Sequence, residues 1–174
     1  MAPTAESDPA CDVAHGAVAG ESDGRTLVAV FTSTVAGYLL SYGLDLGYRA
    51  VLVEPDAERA KAVADPGIEV VTSVPPLDAA TDVVVTDHHR DELGTVLRDV
   101  LGHPARWVGV MGNPRHPAPH VDALTDLGVS AEDIARVHRP IGLNIGSRKP
   151  PEIAIATLAG LIADRNHKSG GFHF

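Results

Sequence analysis

The sequence contains little cysteine, few aromatic side chains and fewer basic than acidic residues. Its 174 residues include a single cysteine, Cys11, which excludes an internal disulfide framework and a zinc site built from cysteines. Aromatic residues make up 4% of the chain and apolar residues 44%, so the core is predicted to consist of Ala, Val, Leu and Ile. The 14 Lys and Arg residues face 23 Asp and Glu residues, a net charge of −9. This charge disfavours binding to nucleic acids or anionic membrane surfaces.

Neither a signal peptide nor a membrane span is predicted. Residues 1–25 are rich in Ala, Pro, Ser, Asp, Glu and Gly, and they are predicted to form a disordered leader. Residues 26–44 carry no charge, but their hydroxyl side chains and glycines favour a strand followed by a helix over a span. Residues 26–166 are predicted to form one domain and residues 167–174 a flexible tail. We expect the protein in the cytoplasm.

Short apolar segments alternate with helical ones along the predicted domain. Strands are predicted at residues 27–31, 49–53, 68–71, 82–86, 106–111 and 136–140. Helices are predicted at residues 34–46, 55–64, 91–101, 117–127 and 150–164, with a short one after Ser130. This alternation predicts a single α/β domain, a doubly wound, mostly parallel, Rossmann-like sheet. Ligands of such sheets bind outside the carboxyl ends of the strands, so we expect the site in the loops that follow them.

The turn after the first strand is where a dinucleotide-binding fingerprint would lie. Of the three glycines in that fingerprint only Gly37 is present, because Thr32, Ser33 and Thr34 occupy the earlier positions. An acidic residue, Glu54, follows at about the expected spacing of ~20 residues. The free amides at this helix N-terminus, with the hydroxyls as further donors, can still bind a single phosphate, whereas a dinucleotide is disfavoured. The alternative is that these residues only cap the helix.

The loop after the fourth strand contains three potential metal ligands. Asp87, His88 and His89 are consecutive, and adjacent histidines do not by themselves make a three-ligand site. A solvated loop in which Asp91 caps the next helix is therefore favoured, and no metal site is predicted.

The loop after the fifth strand is the next candidate. Gly112 permits a tight turn, Asn113 follows it, and Arg115 is placed to pair with a phosphate or a carboxylate. The alternative is an exposed turn without a ligand.

A glycine-rich loop precedes the last helix. Gly142 and Gly146 bracket two apolar residues and Asn144. Such a loop can present successive amides to an anion or hold the asparagine toward a ligand. The alternative is a buried connection whose glycines avoid backbone strain.

Residues 136–146 and 150–155 read RVHRPIGLNIG and PPEIAI. They resemble the C-terminal signature of the XdhC/CoxI family, R-[IV]-x-x-P-I-G-L-[DN]-I-G followed by P-x-E-I-A. Residues 107–113 and 83–91 are more loosely similar to other family segments, so that the resemblance covers about residues 27–165. It implies an accessory protein for a molybdenum hydroxylase, such as xanthine or carbon monoxide dehydrogenase, that binds molybdenum cofactor (molybdopterin) and delivers it to the apoenzyme.

The resemblance is confined to the C-terminal Rossmann-like domain of the family. The family's G-C-[VI]-E cysteine motif is absent, Asn144 stands where the family often has Asp, and Gly160 stands where it often has Glu. The resemblance implies that the cofactor phosphate binds at Thr32–Thr34, opposite the glycine-rich loop. It also implies as partners the apoenzyme, a separate N-terminal-type chain or cysteine desulfurase, and a second copy of the chain. No catalytic residue is predicted. The alternatives are an NAD(P)-dependent oxidoreductase and a non-catalytic interaction domain.

Overall fold

A computed structural model describes residues 24–113 and 115–171. Most of the predicted leader, with Cys11, and residues 172–174 of the predicted tail lie outside the described residues. Six parallel strands form one sheet in the order β3-β2-β1-β4-β5-β6. The strands are β1 (Thr26–Val30), β2 (Arg49–Val53), β3 (Ile68–Val71), β4 (Thr81–Val85), β5 (Trp107–Val110) and β6 (Val137–His138).

The strand order creates a switch point between β1 and β4. The chain first runs outward from β1 to β2 and β3, then returns to place β4 on the other side of β1. In register, Val28 of β1 lies opposite Val51 on one side and Val83 on the other. This order is typical of doubly wound dinucleotide-binding sheets, whose crevice opens where the order reverses.

Helices cover both faces of the sheet because its strands are apolar on both faces. Val28 and Val30 pack in one buried cluster with α3, whereas Leu27 and Ala29 pack in a second cluster with α1 and α6. The helices are α1 (Thr34–Asp45), α2 (Ala57–Lys61), α3 (Leu93–Leu101), α4 (Pro119–Asp126), α5 (Ala131–Ile134) and α6 (Pro150–Arg165). The predicted α/β class, the doubly wound parallel sheet and the single Rossmann-like domain are confirmed.

Several predicted element boundaries need correction. The helix predicted at 55–64 is the five-residue α2, which begins after the Asp56 cap. The last strand is two residues long rather than five. Asp91 does not cap α3, since the capping position is Glu92 and its side chain makes no capping hydrogen bond. Ser33 and Ser130 do cap α1 and α5, as their side-chain oxygens accept backbone N–H groups.

The uncharged segment at residues 26–44 divides between β1 and α1. Within residues 24–113 and 115–171, no helix combines the length and the apolar character needed to cross a bilayer.

Candidate functional site

An open crevice of about 760 Å³ lies at the carboxyl ends of β4, β5 and β6. Its walls are the loops after these strands, one residue of α1 (Val35) and the first half of α6. Six of the predicted site residues line it, from the two loops after β5 and β6: Gly112, Asn113, Arg115, Gly142, Asn144 and Gly146. The predicted residues of the turn after β1 lie beside the crevice and do not line it themselves.

The crevice is positively charged on an acidic chain. Arg115 and Arg148 line it, and the described residues of its lining include no Asp or Glu. The chain as a whole carries a net charge of −9. Guanidinium groups in a crevice lining without carboxylates attract anions even when the rest of the surface repels them. Arg148 was not among the predicted site residues, although it stands two residues beyond the glycine-rich loop.

The turn after β1 brings the N-terminus of α1 to the edge of the crevice. The Ser33 hydroxyl accepts the Ala36 amide at 3.0 Å and donates to the hydroxyl of Thr86, a crevice residue, at 2.9 Å. The amides of Ser33, Thr34 and Val35 have no hydrogen-bond partner within the described part of the chain. These amides and the helix dipole make this end of α1 suited to a phosphate. Capping and phosphate binding are therefore compatible here, because the cap uses only the Ser33 side chain.

Thr32, Thr34 and Gly37 have different environments in this turn. The Thr32 amide donates to Glu54 Oε2 at 2.8 Å. Thr34 is exposed, so its hydroxyl is the accessible one among the hydroxyls of residues 32–34. Gly37 lies one turn into α1 with open space around it, and neither packing nor its backbone conformation requires a glycine there.

Glu54 directly follows β2 and is fully buried. Arg90, in the loop after β4, donates to both carboxylate oxygens, at 2.9 and 3.2 Å. The Asp56 amide also donates to Oε1, at 3.0 Å. Burial alone would raise the pKa of Glu54, but the hydrogen bonds from Arg90 and from the amides of Thr32 and Asp56 outweigh it and lower the pKa to about 2. Glu54 is thus a buried anion that ties the turn after β1 to the loop after β4.

The glycine-rich loop packs on α6 through Gly142. This glycine has a φ of +78°, and a Cβ added to it would lie 3.1 Å from the backbone of Ala156. The Leu143 amide donates to the Ala156 carbonyl at 3.0 Å. The loop is not a buried connection as one interpretation held, because Asn144 and Gly146 are exposed. Gly142 supports the shape of the loop, and Asn144 is accessible to a ligand.

Arg139, which was not predicted, supports the loop that carries Arg115. Its guanidinium donates to the carbonyls of Asn113 at 3.0 Å and His116 at 3.2 Å. A Cβ on Gly112 would lie 2.7 Å from Arg139 Nε, so a side chain at this position would require the Arg139 guanidinium to shift. The Arg115 amide donates to the Asn113 side chain at 2.9 Å. The exposed turn is therefore held in a defined position at the crevice rim.

The loop after β4 places the rings of His88 and His89 next to each other. Their rings lie 4.1 Å apart, centroid to centroid. Burial, together with the nearby charges of His89 and Arg139, lowers the pKa of His88, which lines the crevice. Among the described residues there is no cluster of three or more His, Cys, Asp or Glu side chains able to hold a metal ion.

The chain is similar in sequence to a bacterial protein and in fold to a solved structure. The chain is 34% identical over 101 residues to the uncharacterized protein YqeB of Escherichia coli, an alignment that covers 57% of this chain and 18% of YqeB. A crystal structure described as a xanthine dehydrogenase from Bacillus halodurans superposes with a TM-score of 0.67 at 18% identity. That superposition covers 83% of this chain and 45% of the solved one, so it shows a shared fold. The chain spans less than half the length of both proteins.

The family model of the XdhC Rossmann domain matches residues 27–161. The match runs from β1 into α6 and therefore includes every strand and each loop of the crevice. The chain belongs to the XdhC Rossmann domain family.

Proposed function

We propose that this chain is an accessory protein for a molybdenum hydroxylase of the xanthine or carbon monoxide dehydrogenase type. In this role it binds molybdenum cofactor in the crevice and delivers it to the apoenzyme. The observation that carries the proposal is the crevice lining, which contains Arg115 and Arg148 and no carboxylate on a chain with a net charge of −9. Such a lining selects a compact anionic ligand.

The residues present fit the phosphate and the ring system of the cofactor. The volume of about 760 Å³ lies within the range of roughly 300–1,000 Å³ that is usual for small-molecule sites. The free amides at the start of α1 and the two arginines would hold the phosphate. A flat ring would lie against the apolar side chains of the lining, namely Val35, Met111, Ile141, Ile145 and Ile153.

The molybdenum end of the cofactor would be held by a partner. Among the described residues that line the crevice, Met111 is the one that contains sulfur, so this part of the lining offers no thiolate ligand. We propose that the apoenzyme, a separate N-terminal-type chain or a cysteine desulfurase approaches the open side of the crevice, and that transfer takes place in the cytoplasm. Molybdenum supplies redox chemistry in the recipient enzyme, and this chain contributes binding and orientation.

A nicotinamide dinucleotide is the second candidate ligand, because the strand order is that of a dinucleotide-binding sheet. Two features of the turn count against it. Thr32 and Thr34 replace glycines that let a pyrophosphate approach the backbone, and Glu54 is already engaged by Arg90. An interaction domain without a ligand is the remaining alternative.

Titration of the purified chain with molybdenum cofactor, and separately with NADH, tests the proposal by fluorescence. We expect the chain to bind the cofactor and not NADH. Thr34→Asp should weaken cofactor binding at least about tenfold, because it places a negative charge at the free amides of α1.

Thr95→Asp is the matched control. Thr95 is an exposed threonine in the first turn of α3, and it does not line the crevice. Equal affinity of the wild type and the Thr34→Asp variant for the cofactor would contradict the proposed site. Binding of NADH alone would favour an oxidoreductase.

A further inference from the structure

The loops at the carboxyl ends of β2 and β3, here called the β2 side, do not contribute to the crevice. The lining residues come from α1, from the loops after β4, β5 and β6, and from α6; none of them comes from the connections after β2 or β3. In dinucleotide-binding sheets with this strand order, the ribose of the nucleotide hydrogen-bonds to the acidic residue about 20 positions beyond the glycine turn. Glu54 occupies that position here, at the end of β2.

The guanidinium of Arg90 occupies the carboxylate oxygens of Glu54 to which that ribose would donate. A carboxylate offers about four acceptor positions, and Glu54 uses four: two for Arg90, one for the Thr32 amide and one for the Asp56 amide. No acceptor position is left for a ribose hydroxyl.

Arg90 is itself firmly held in this position. Its guanidinium lies 4.8 Å above the ring centroid of the buried Phe31, and it also donates to Glu92 at 3.0 Å. The Arg90 side chain is only 10% exposed and the Glu54 side chain is fully buried. A ligand that displaced Arg90 would leave a buried carboxylate without its counter-ion, which is strongly unfavourable.

We infer that Arg90 is a specificity-determining residue that closes the β2 side of the crevice to nucleotides. With that side closed, the crevice accepts ligands that end in a phosphate monoester and rejects those in which a pyrophosphate continues to a second nucleoside. The identity of the accepted monoester rests on the proposed function. The rejection of dinucleotides rests on Arg90 and Glu54 alone.

Calorimetric titration with ADP-ribose tests this inference, because ADP-ribose carries the pyrophosphate and the adenosine ribose without the nicotinamide. The wild type should give no binding heat at millimolar ADP-ribose, whereas Arg90→Ala should bind it at least about tenfold more tightly than the wild-type limit. Arg98→Ala is the matched control, since Arg98 is a half-exposed arginine on α3 that pairs with Asp99. This control should behave as the wild type.

A rescue experiment shows whether Arg90→Ala binds ADP-ribose in the space left by the guanidinium or because the fold is destabilised. Guanidinium ion at low millimolar concentration should occupy the space left in Arg90→Ala, raise its melting temperature and compete with ADP-ribose. Arg90→Lys covers the case in which Arg90→Ala does not fold. Lysine keeps the charge but lacks the bidentate fork, so this variant should bind ADP-ribose more tightly than the wild type.

Two results would overturn the inference: binding of ADP-ribose by the wild type, or no gain of binding in either Arg90 variant when circular dichroism shows it folded. These results are distinguishable from failure of the proposed function. A wild type that does not bind molybdenum cofactor contradicts the proposed function and leaves the comparison of Arg90 variants unchanged.

Discussion

Replacing Glu54 with glutamine removes a buried charge that joins the ends of β1, β2 and β4. The pKa of Glu54 is lowered from 4.5 to about 2, because hydrogen bonds from Arg90 and two amides outweigh the effect of burial. A shift of this size corresponds to about 3 kcal/mol in favour of the charged form in the folded state. We therefore expect Glu54→Gln to lower the free energy of unfolding by about 3 kcal/mol at neutral pH.

The stability difference between the wild type and Glu54→Gln should depend on pH. The folded pKa of Glu54 lies below the unfolded value, so its contribution is fully present above pH 4.5 and is lost as the pH falls toward about 2. Urea unfolding at pH 7 and at about pH 3 should therefore show a difference between wild type and variant that shrinks in acid. A variant as stable as the wild type at pH 7, or a difference of equal size at both pH values, would refute the reasoning.

Glu69→Gln is the matched control for this experiment. Glu69 pairs with Arg49, and both side chains are largely solvent-exposed. Exposed ion pairs contribute about 0–1 kcal/mol, so the control should remain close to the wild type at both pH values.

Three further predictions test the supporting structure by urea or thermal unfolding. Ser33→Ala removes the cap of α1 and should cost about 1 kcal/mol. Gly142→Ala should be more destabilising than Gly146→Ala. Both glycines have a positive φ, but only at Gly142 would the added Cβ press on the backbone of α6. Equal losses of unfolding free energy in the two variants would contradict this. Burial and the neighbouring Asp82 raise the pKa of Tyr48 from 10 to about 12. The wild type should therefore lose stability between about pH 10 and pH 12, and Tyr48→Phe should lose less over that range.

The fold follows from the sequence because its strands are short and apolar on both faces. Residues 83–85 are three consecutive valines and all three are buried, which is the pattern of a central parallel strand. Helix starts are marked by local signals such as the serine that caps α1, whose hydrogen bond spans three residues. Local signals of this kind are visible without knowledge of the tertiary structure.

The site is less predictable because its key contacts join residues far apart in the sequence. The spacing after the first turn identifies Glu54, but the engagement of its carboxylate depends on Arg90, 36 residues later. The support that Arg139 gives to the Asn113 loop spans 26 residues. Arg139 stands at an unspecified position of the C-terminal signature and Arg90 in a loosely similar segment, so only the folded structure shows what each one contacts.

The location of the cofactor phosphate is the most direct test of the central claim. Amide chemical shifts measured during titration of the ¹⁵N-labelled chain with molybdenum cofactor report that location residue by residue. We expect the largest changes at Thr34, Gly112 and Gly146, which surround the crevice. We expect none at Gly102, which follows α3 at the opposite end of that helix from the crevice loops. Shifts confined to other parts of the chain, or no shifts at saturating cofactor, would contradict it.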